Sequence, residues 1–486
     1  MGTPMDNIEQ MITLLPEIIL IGLSLAILFL DLIWKKPRKT TFGWVTVIGL
    51  VAAAVTSLMV ISPQNDGLVA WGDMLRFDMA ATVFRLLFLV GAAITALFSV
   101  EDENLNRRGE FYFLLVISTL GLSMLAAAAD LIMVFLALET ASIPLYMLAG
   151  FFFRDGKSVE SGLKYLLYGA MSSVIMLFGF TFLYGFSGTT RLYEIAAAIR
   201  IGNLPPTVTI VALMLILVGI GFKISAVPFH FWAPDVYEGA PTVVAGFLST
   251  ASKAGGFAVL LRFSFAVFPV LSSHSSYLIA AMAVASMLVG NLLALNQKNF
   301  KRFLAYSSIA QAGYMLVGVA ALSNLGAAGV IYYLMAYLVT NLVTFAIAFI
   351  SARVSGTDDI SGLAGLSQRS PILGFSLLIS LLSLGGIPPF AGFIGKVLVF
   401  YAGIQSGMAW LVVVAVLNSV LSLSYYLRVL KVAFLDKPRE EKTGPAINIP
   451  WKIAFTFSVV GIIVLGIYLS PWFGWAVSAA SSLALY

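Results

Sequence analysis

The sequence predicts an all-α polytopic membrane protein of about 14 transmembrane helices. Three observations lead there. Hydrophobic residues make up 60% of the chain and charged residues only 10%, where a soluble domain carries about 25% charge. Apolar stretches of roughly 18–25 residues recur along the whole length, each able to cross about 30 Å of hydrocarbon. The alternating strands of about 10 residues that build transmembrane barrels are absent.

In order, the candidate spans are 12–33, 42–61 and 78–99; then 110–128, 130–152, 162–186, 208–226 and 242–266; then 277–296, 300–322, 326–353, 371–405 and 409–434; and finally 451–470. The first follows MGTPMDNIEQ, which is acidic rather than basic, so it reads as a retained helix and not a cleavable signal. The expected division is 1–109 with three helices, 110–266 as a first five-helix unit, 277–434 as a second, and 435–486 with the last helix.

Two spans carry breakers. The seventh runs into GFKISAVPFHFWAPDVYEGAPT, Gly221 to Thr242, where Pro228, Pro234 and Pro241 interrupt the helix. The twelfth is too long for one crossing and holds GGIPPF, Gly385 to Phe390. Irregular backbone at membrane depth is tolerated only where protein buries it or it lines a wet cavity. Helices 7 and 12 are therefore the expected broken helices.

FLALETASIPLYML from Phe135 and FLAYSSIAQAGYML from Phe303 share FLA and YML at their ends. Each lies two spans before a break, and the fifth and tenth spans run in opposite directions. The expected plan is two inverted five-helix repeats, a layout of ion transporters.

Loops after odd-numbered spans hold 18 Lys or Arg, among them Lys35, Lys36, Arg38, Lys39, Arg439 and Lys442, against 4 after even-numbered spans, Arg76, Arg191, Arg200 and Arg262. The positive-inside rule then places odd-span loops in the cytoplasm and both termini outside. The formal charge of +5 is a topology signal rather than a nucleic-acid one.

The chain has no cysteine and two histidines, His230 and His274, the latter in a polar, loop-like SSHSS. That argues against thiolate-held iron–sulfur clusters, c-type haem and disulfides, and against a bis-His haem. No GxGxxG after a strand, no GxxxxGK[ST] and no HExxH is present. No cofactor or metal is expected in this chain.

Cations inside the spans need an explanation. Lys164, Lys223, Lys253 and Lys396 lie in spans 6, 7, 8 and 12, and Glu139 lies in span 5; Arg85 lies about two turns into span 3. Each central lysine costs about 2.5–3.5 kcal/mol on insertion scales, so four cost on the order of 10 kcal/mol. One reading is that each pairs with a carboxylate or carbonyl and fixes helix packing. The other is proton translocation. Burial disfavours a lysine's charged form and a nearby carboxylate favours it. A Glu139–Lys223 pair then holds the proton when close and releases it when parted, with Lys164, Lys253 and Lys396 as relay or exit stations. His230, beside the break, is either a structural residue or a water-linked proton station. Asp235 orders its loop, with Glu238, or gates. Tyr306 and Tyr314, with Ser307 and Ser308, pack and hydrogen-bond or join the relay.

These residues carry a family likeness. ETASIPLYMLAGF at 139–151, KYLLYGAMSS at 164–173, FKISAVPFHFWAPDVYEGAPT at 222–242, STASKAGGFA at 249–258 and IPPFAGFIGK at 387–396 resemble the antiporter-like membrane subunits of respiratory complex I, on the subunit-N branch. Sister L and M subunits and Mrp-type antiporters typically read PFHTWLPDAH where this chain reads PFHFWAPDVYEGAPT. The resemblance implies Glu139 as the span-5 glutamate, Lys223 as its span-7 partner, Lys164 and Lys253 as central-axis lysines, and Lys396 as the span-12 lysine. It implies proton pumping within an NADH- or NAD(P)H-quinone oxidoreductase of the respiratory chain. FMN, iron–sulfur clusters and quinone would then lie in partners: L-, M-, K-, J-, A- and H-like membrane subunits and peripheral redox subunits. It further implies a bacterial inner membrane. An Mrp-type cation/proton antiporter is the competing reading.

Overall fold

The computed structural model describes residues 11–34, 40–60, 68–267, 272–437 and 447–483. Lys35, Lys36, Arg38, Lys39, Arg439 and Lys442 of the charge count lie outside the described residues. The chain is helical almost throughout, since backbone N–H and C=O groups in hydrocarbon must pair within their own segment. Thirteen described helices are long and apolar enough to cross a membrane.

Helices α1 (Leu15–Ile33) and α2 (Thr41–Val60) lead to a short antiparallel hairpin, β1 (Leu68–Ala70) with β2 (Leu75–Phe77), and then α3 (Met79–Ser99). The hairpin turns through Trp71, Gly72 and Asp73, all at positive φ. Next come α4 (Gly109–Ala127), α5 (Leu131–Ala149), α6 (Gly156–Ser187), a short α7 (Leu192–Arg200) and α8 (Pro206–Ile224). Beyond a turn lie α9 (Trp232–Gly239), α10 (Thr242–Phe247), a π-helical turn at Leu248–Ser252 and α11 (Lys253–Ala266). The chain continues through α12 (Ser272–Leu295), α13 (Phe300–Ala320), α14 (Asn324–Ser355), α15 (Leu366–Arg369), α16 (Pro371–Gly385), α17 (Ala391–Gln405), α18 (Ala409–Leu435), α19 (Ile449–Ile467) and α20 (Leu469–Leu483). The long apolar run 371–405 is thus divided between α16 and α17.

Side-chain caps satisfy the orphan N–H groups at several helix starts. Asp130 accepts from Ile132 N at 2.7 Å to open α5, and Asp155 from Lys157 N at 3.0 Å to open α6. Asn299 accepts from Arg302 N at 3.1 Å to open α13. The best window of the span Thr242–Ala266 is wholly buried, and those of α13 and α14 are 94% and 89% buried, whereas those of α1 and α2 are only 33% buried. The centre of the protein is therefore α10, α11, α13 and α14, with α1 and α2 at the rim.

The two interruptions share one backbone pattern. At the first, Ser225 N donates to Phe222 O, Ala226 N to Gly221 O and Phe229 N to Ala226 O. At the second, Gly386 N donates to Ser383 O, Ile387 N to Leu382 O and Phe390 N to Ile387 O. Ser225 and Gly386 hold the same place in each, in the left-handed region with φ of 57° and 81°. Close approach then fixes the second turn: a Cβ on Gly392 would sit 2.0 Å from the Ser383 carbonyl oxygen. Gly392→Ala is expected to cost about 1–3 kcal/mol by overpacking, measured as a lower thermal midpoint of the purified protein.

Some expectations change. His274 falls within α12 rather than in a loop, because the serines around it continue the helix N-terminally. Arg262 is not a loop residue but a buried member of α11, 3% exposed. Its guanidinium donates to both oxygens of Asp78, at 2.9 and 3.1 Å, and to Tyr193 Oη and Ala126 O. Arg85 is buried and pairs with Glu17 of α1 at 2.9 Å, with Ser123 of α4 bridging them. Both pairs hold helices together and neither touches the lysines below.

Candidate functional site

Glu139 sits half-buried on α5, and Ser173 of α6 donates to its Oε1 at 2.6 Å. Gly121 lets α4 approach this stretch, since a Cβ there would lie 2.3 Å from Ala141 N. One turn on, Ser142 occupies the same face of α5. Lys223 Nζ donates to Ser142 Oγ at 2.8 Å. Glu139 and Lys223 therefore share one face of α5 but form no ion pair; each is held by a serine instead. Lys223 is 3% exposed and lies in the last turn of α8, where the negative end of the helix dipole favours a cation. Trp232 Nε1 takes the Phe222 carbonyl at 3.1 Å and locks the end of that helix.

Lys253 opens α11 directly after the π turn, a feature frequent at functional sites. Its Nζ donates to Ser308 O at 2.9 Å and Ser308 Oγ at 3.0 Å, reaching α13. Lys396 of α17 reaches back to the end of α16, donating to Leu384 O at 3.0 Å and Gly385 O at 3.1 Å. Those carbonyls are free because the helix stops there. Ser419 of α18 accepts a third bond at 2.8 Å, and the ammonium lies 4.7 Å from the centre of the Tyr314 ring. Among the described residues, no carboxylate forms an ion pair with Lys223, Lys253 or Lys396.

A polar line runs to Lys396 from Ser307, the chain neighbour of the Lys253 acceptor Ser308. Ser307, next to Ser308, shares a 2.5 Å hydrogen bond with Tyr426 of α18. Gln311 Nε2 donates to Tyr426 Oη at 3.1 Å and to Leu384 O at 3.0 Å, and Tyr333 donates to Gln311 Oε1. Leu384 O is the acceptor already used by Lys396. Tyr314 belongs to this region too, its Oη accepting from Asn291, which also bonds Asn418 and Tyr425. Gln311, Tyr426, Asn291 and Asn418 were not singled out from sequence. The readable signal was a lone amide inside an apolar span, as in SSIAQAGY, LVGNLLAL and AVLNSVL.

The other candidates sort differently. Tyr306 is only partly buried, packed against the core. Lys164 is not sunk among the buried lysines: its side chain is 35% exposed and pairs with Glu160 and Asp235, both at 2.6 Å. Asp235 also takes Arg302 at 2.7 Å, and Glu238 takes Arg302 and Lys157, both at 2.9 Å. This network ties α9 to α6 and α13. His230 is 6% exposed beside Phe231, its Nδ1 has no partner, and burial holds its pKa below the ordinary value.

Burial pushes the carboxyls of Asp235 and Glu238 up, but their hydrogen bonds to Lys164, Lys157 and Arg302 outweigh it and hold both below the usual range. A depressed carboxyl contributes stability that is complete above its unfolded pKa of roughly 4 and is lost as the pH falls through the folded value. Acidification below about pH 4 is expected to loosen α9, read as faster hydrogen exchange over 225–240. Arg302→Ala is expected to move that loosening to higher pH.

Buried ammonium groups set beside the ends of membrane helices are the kind of site found in membrane ion-translocating proteins. The chain belongs to the NADH:quinone oxidoreductase/Mrp antiporter transmembrane family, whose profile matches residues 128–422. It is 42% identical to NADH-quinone oxidoreductase subunit N of Moorella thermoacetica, over 96% of this chain and 97% of that protein. It is 40% identical to NAD(P)H-quinone oxidoreductase subunit 2 of a Nostoc species, over 97% of this chain and 93% of that one. A chain of respiratory complex I from Thermus thermophilus with bound aureothin superposes with a TM-score of 0.81 at 33% identity, covering 95% of this chain and 99% of that one. A chain of the Mrp complex from a Dietzia species gives 0.86 at 22% identity, covering 98% of each, a likeness of fold.

Proposed function

We propose that this chain is the proton-translocating, subunit-N-like membrane subunit of an NADH- or NAD(P)H-quinone oxidoreductase. The carrying observation is the set of three buried ammonium groups that form no ion pair with a carboxylate among the described residues. A buried cation that only fixed packing would be held more firmly by an anion than by carbonyls and hydroxyls. Carbonyls and hydroxyls solvate the charge and leave the net charge in place, so loss of the proton is comparatively easy. Glu139 Oε1 and Lys223 Nζ are the first pair of proton holders. A shift of α5 against α8 alters their separation and decides whether Lys223 keeps its proton. Lys253 and Lys396 follow along the polar line. Gln311 and Tyr426 position that line rather than carry charge, and Lys164 and Asp235 set the mouth beside α9. An ammonium has no lone pair for Na⁺, so the carried ion is H⁺.

The matching turns at Ser225 and Gly386 support an inverted-repeat origin for 110–266 and 277–434. Relatives at 40–42% identity over nearly the full chain bear oxidoreductase-subunit names, which favours this reading over a Mrp-type antiporter. The partners are then L-, M-, K-, J-, A- and H-like membrane subunits and peripheral subunits holding FMN and iron–sulfur clusters, with quinone reduced there. The location is the bacterial inner membrane with both termini outside.

Purification from native membranes in mild detergent, with mass spectrometry of the companions, tests the assignment. Flavin and iron–sulfur subunits are expected; companions without any redox protein would favour the antiporter. Gln311→Ala is expected to lower proton uptake into vesicles by about tenfold, roughly 1.4 kcal/mol, with assembly intact.

A further inference from the structure

An apolar recess lies away from the lysines. A cleft of about 510 Å³ opens between α2, α3, α14 and α19, with α20 across one end. Ala54, Leu58, Val83 and Leu338 line its walls, and Phe457 and Val460, half exposed, flank its mouth. Two tryptophans of α20, Trp472 and Trp475, line its end with ring centres 6.1 Å apart. Trp472 Nε1 is buried and has no hydrogen-bond acceptor among the described residues. The other lining side chains are aliphatic or aromatic apart from Met335, whose thioether is at most a weak acceptor.

We propose that this cleft is a binding site for one acyl chain of a bilayer phospholipid, whose ester carbonyl accepts the Trp472 indole N–H. Three features select that occupant. The lining is apolar along its length, so the ligand inside is a hydrocarbon. The indole N–H donors of the lining, from Trp472 and Trp475, are at one end, so the ligand carries an acceptor at the end of its hydrocarbon. Tryptophans favour the level where acyl chains meet headgroups, the aromatic belt of membrane proteins. The volume falls within the range of small-molecule sites. A second helix is a poor fit, because a donor of this kind would meet only apolar side chains. Bound lipid then bridges α2, at the rim, to α3 and α14 further in, and this holds whether or not the chain pumps protons.

Gly461 provides the test. A Cβ there meets Val339 at 3.5 Å, ordinary contact, so a larger side chain grows into the cleft without striking backbone. The complex is purified from native membranes, washed repeatedly in mild detergent, and its phospholipid content counted by extraction and mass spectrometry. The wild type is expected to keep one more phospholipid per chain than Gly461→Trp, and Trp472→Phe to lose that molecule in fewer washes. Gly461→Leu gives the same comparison with a smaller side chain should the tryptophan variant fail to assemble. As an independent reading, a phospholipid with a photoreactive acyl chain, in phosphatidylethanolamine–phosphatidylglycerol vesicles, should label the 457–465 peptide in the wild type and not in the variants. Equal lipid retention and labelling in all of them would overturn the proposal. So would an isoprenoid quinone recovered in place of phospholipid.

Discussion

Lys223→Ala is expected to lower proton translocation and coupled quinone reduction by tenfold or more, about 1.4 kcal/mol per decade on the limiting step, while the chain still assembles. The ammonium is buried and bonded to the Ser142 hydroxyl alone. Removing it breaks no ion pair and relieves a buried charge, while Ser173 still bonds Glu139, so stability should hold. Lys223→Arg separates two explanations. Arginine keeps the positive charge but does not deprotonate in proteins. If Lys223 acts by holding and releasing a proton, the arginine variant pumps no better than alanine. If a fixed positive charge is all that is required, arginine restores function. Initial rates of proton uptake into inverted vesicles, normalised to the amount of assembled complex, make the comparison.

Asp78→Ala should act on stability instead. Asp78 is fully buried against Arg262, accepting from both its terminal nitrogens, and its Oδ1 also caps α3 through Ala81 N at 2.8 Å. Truncation leaves the Arg262 guanidinium buried without its counter-ion. Breaking such a pair costs about 3–5 kcal/mol, and losing the cap adds about 1 kcal/mol. The expected outcome is a strong fall in assembled protein and in its thermal midpoint. Arg262→Met should be milder, since Asp78 keeps Arg76 at 3.4 Å and its bond from Ala81 N when its main partner goes, and Tyr193 and Ala126 lose one hydrogen bond each. A similar loss in both would mean that the aspartate, and not the stranded arginine, sets the cost.

Much of the architecture was legible because hydrocarbon imposes a simple code: an apolar run of sufficient length becomes a helix. Lys223 and Lys396 were legible for the same reason, as costly charges beside proline-rich interruptions. What the sequence withheld was mutual placement. Lys164 occurs in an apolar run, yet α6 begins at Gly156, so the lysine lies near the helix end and meets Glu160 and Asp235 at the edge of the bundle. The Glu139–Lys223 relationship was readable as proximity but not as two separate serine contacts, because Ser142 and Ser173 look like ordinary small residues in helix interfaces. Gln311 and Tyr426 come from spans far apart in the chain, and only folding brings the amide to the Leu384 carbonyl. Arg262 was read as a loop charge because span ends blur by a few residues, and its partner Asp78 belongs to a distant helix start.

The measurement that bears most directly on the central claim is the number of protons translocated per NADH oxidised in vesicles carrying Glu139→Gln, beside Lys223→Ala and the wild type. Glutamine keeps an acceptor for Ser173 and removes the titrating oxygen. A lowered stoichiometry in both variants, with normal assembly, is the expected result. Wild-type stoichiometry in both would contradict a proton path through Glu139 and Lys223.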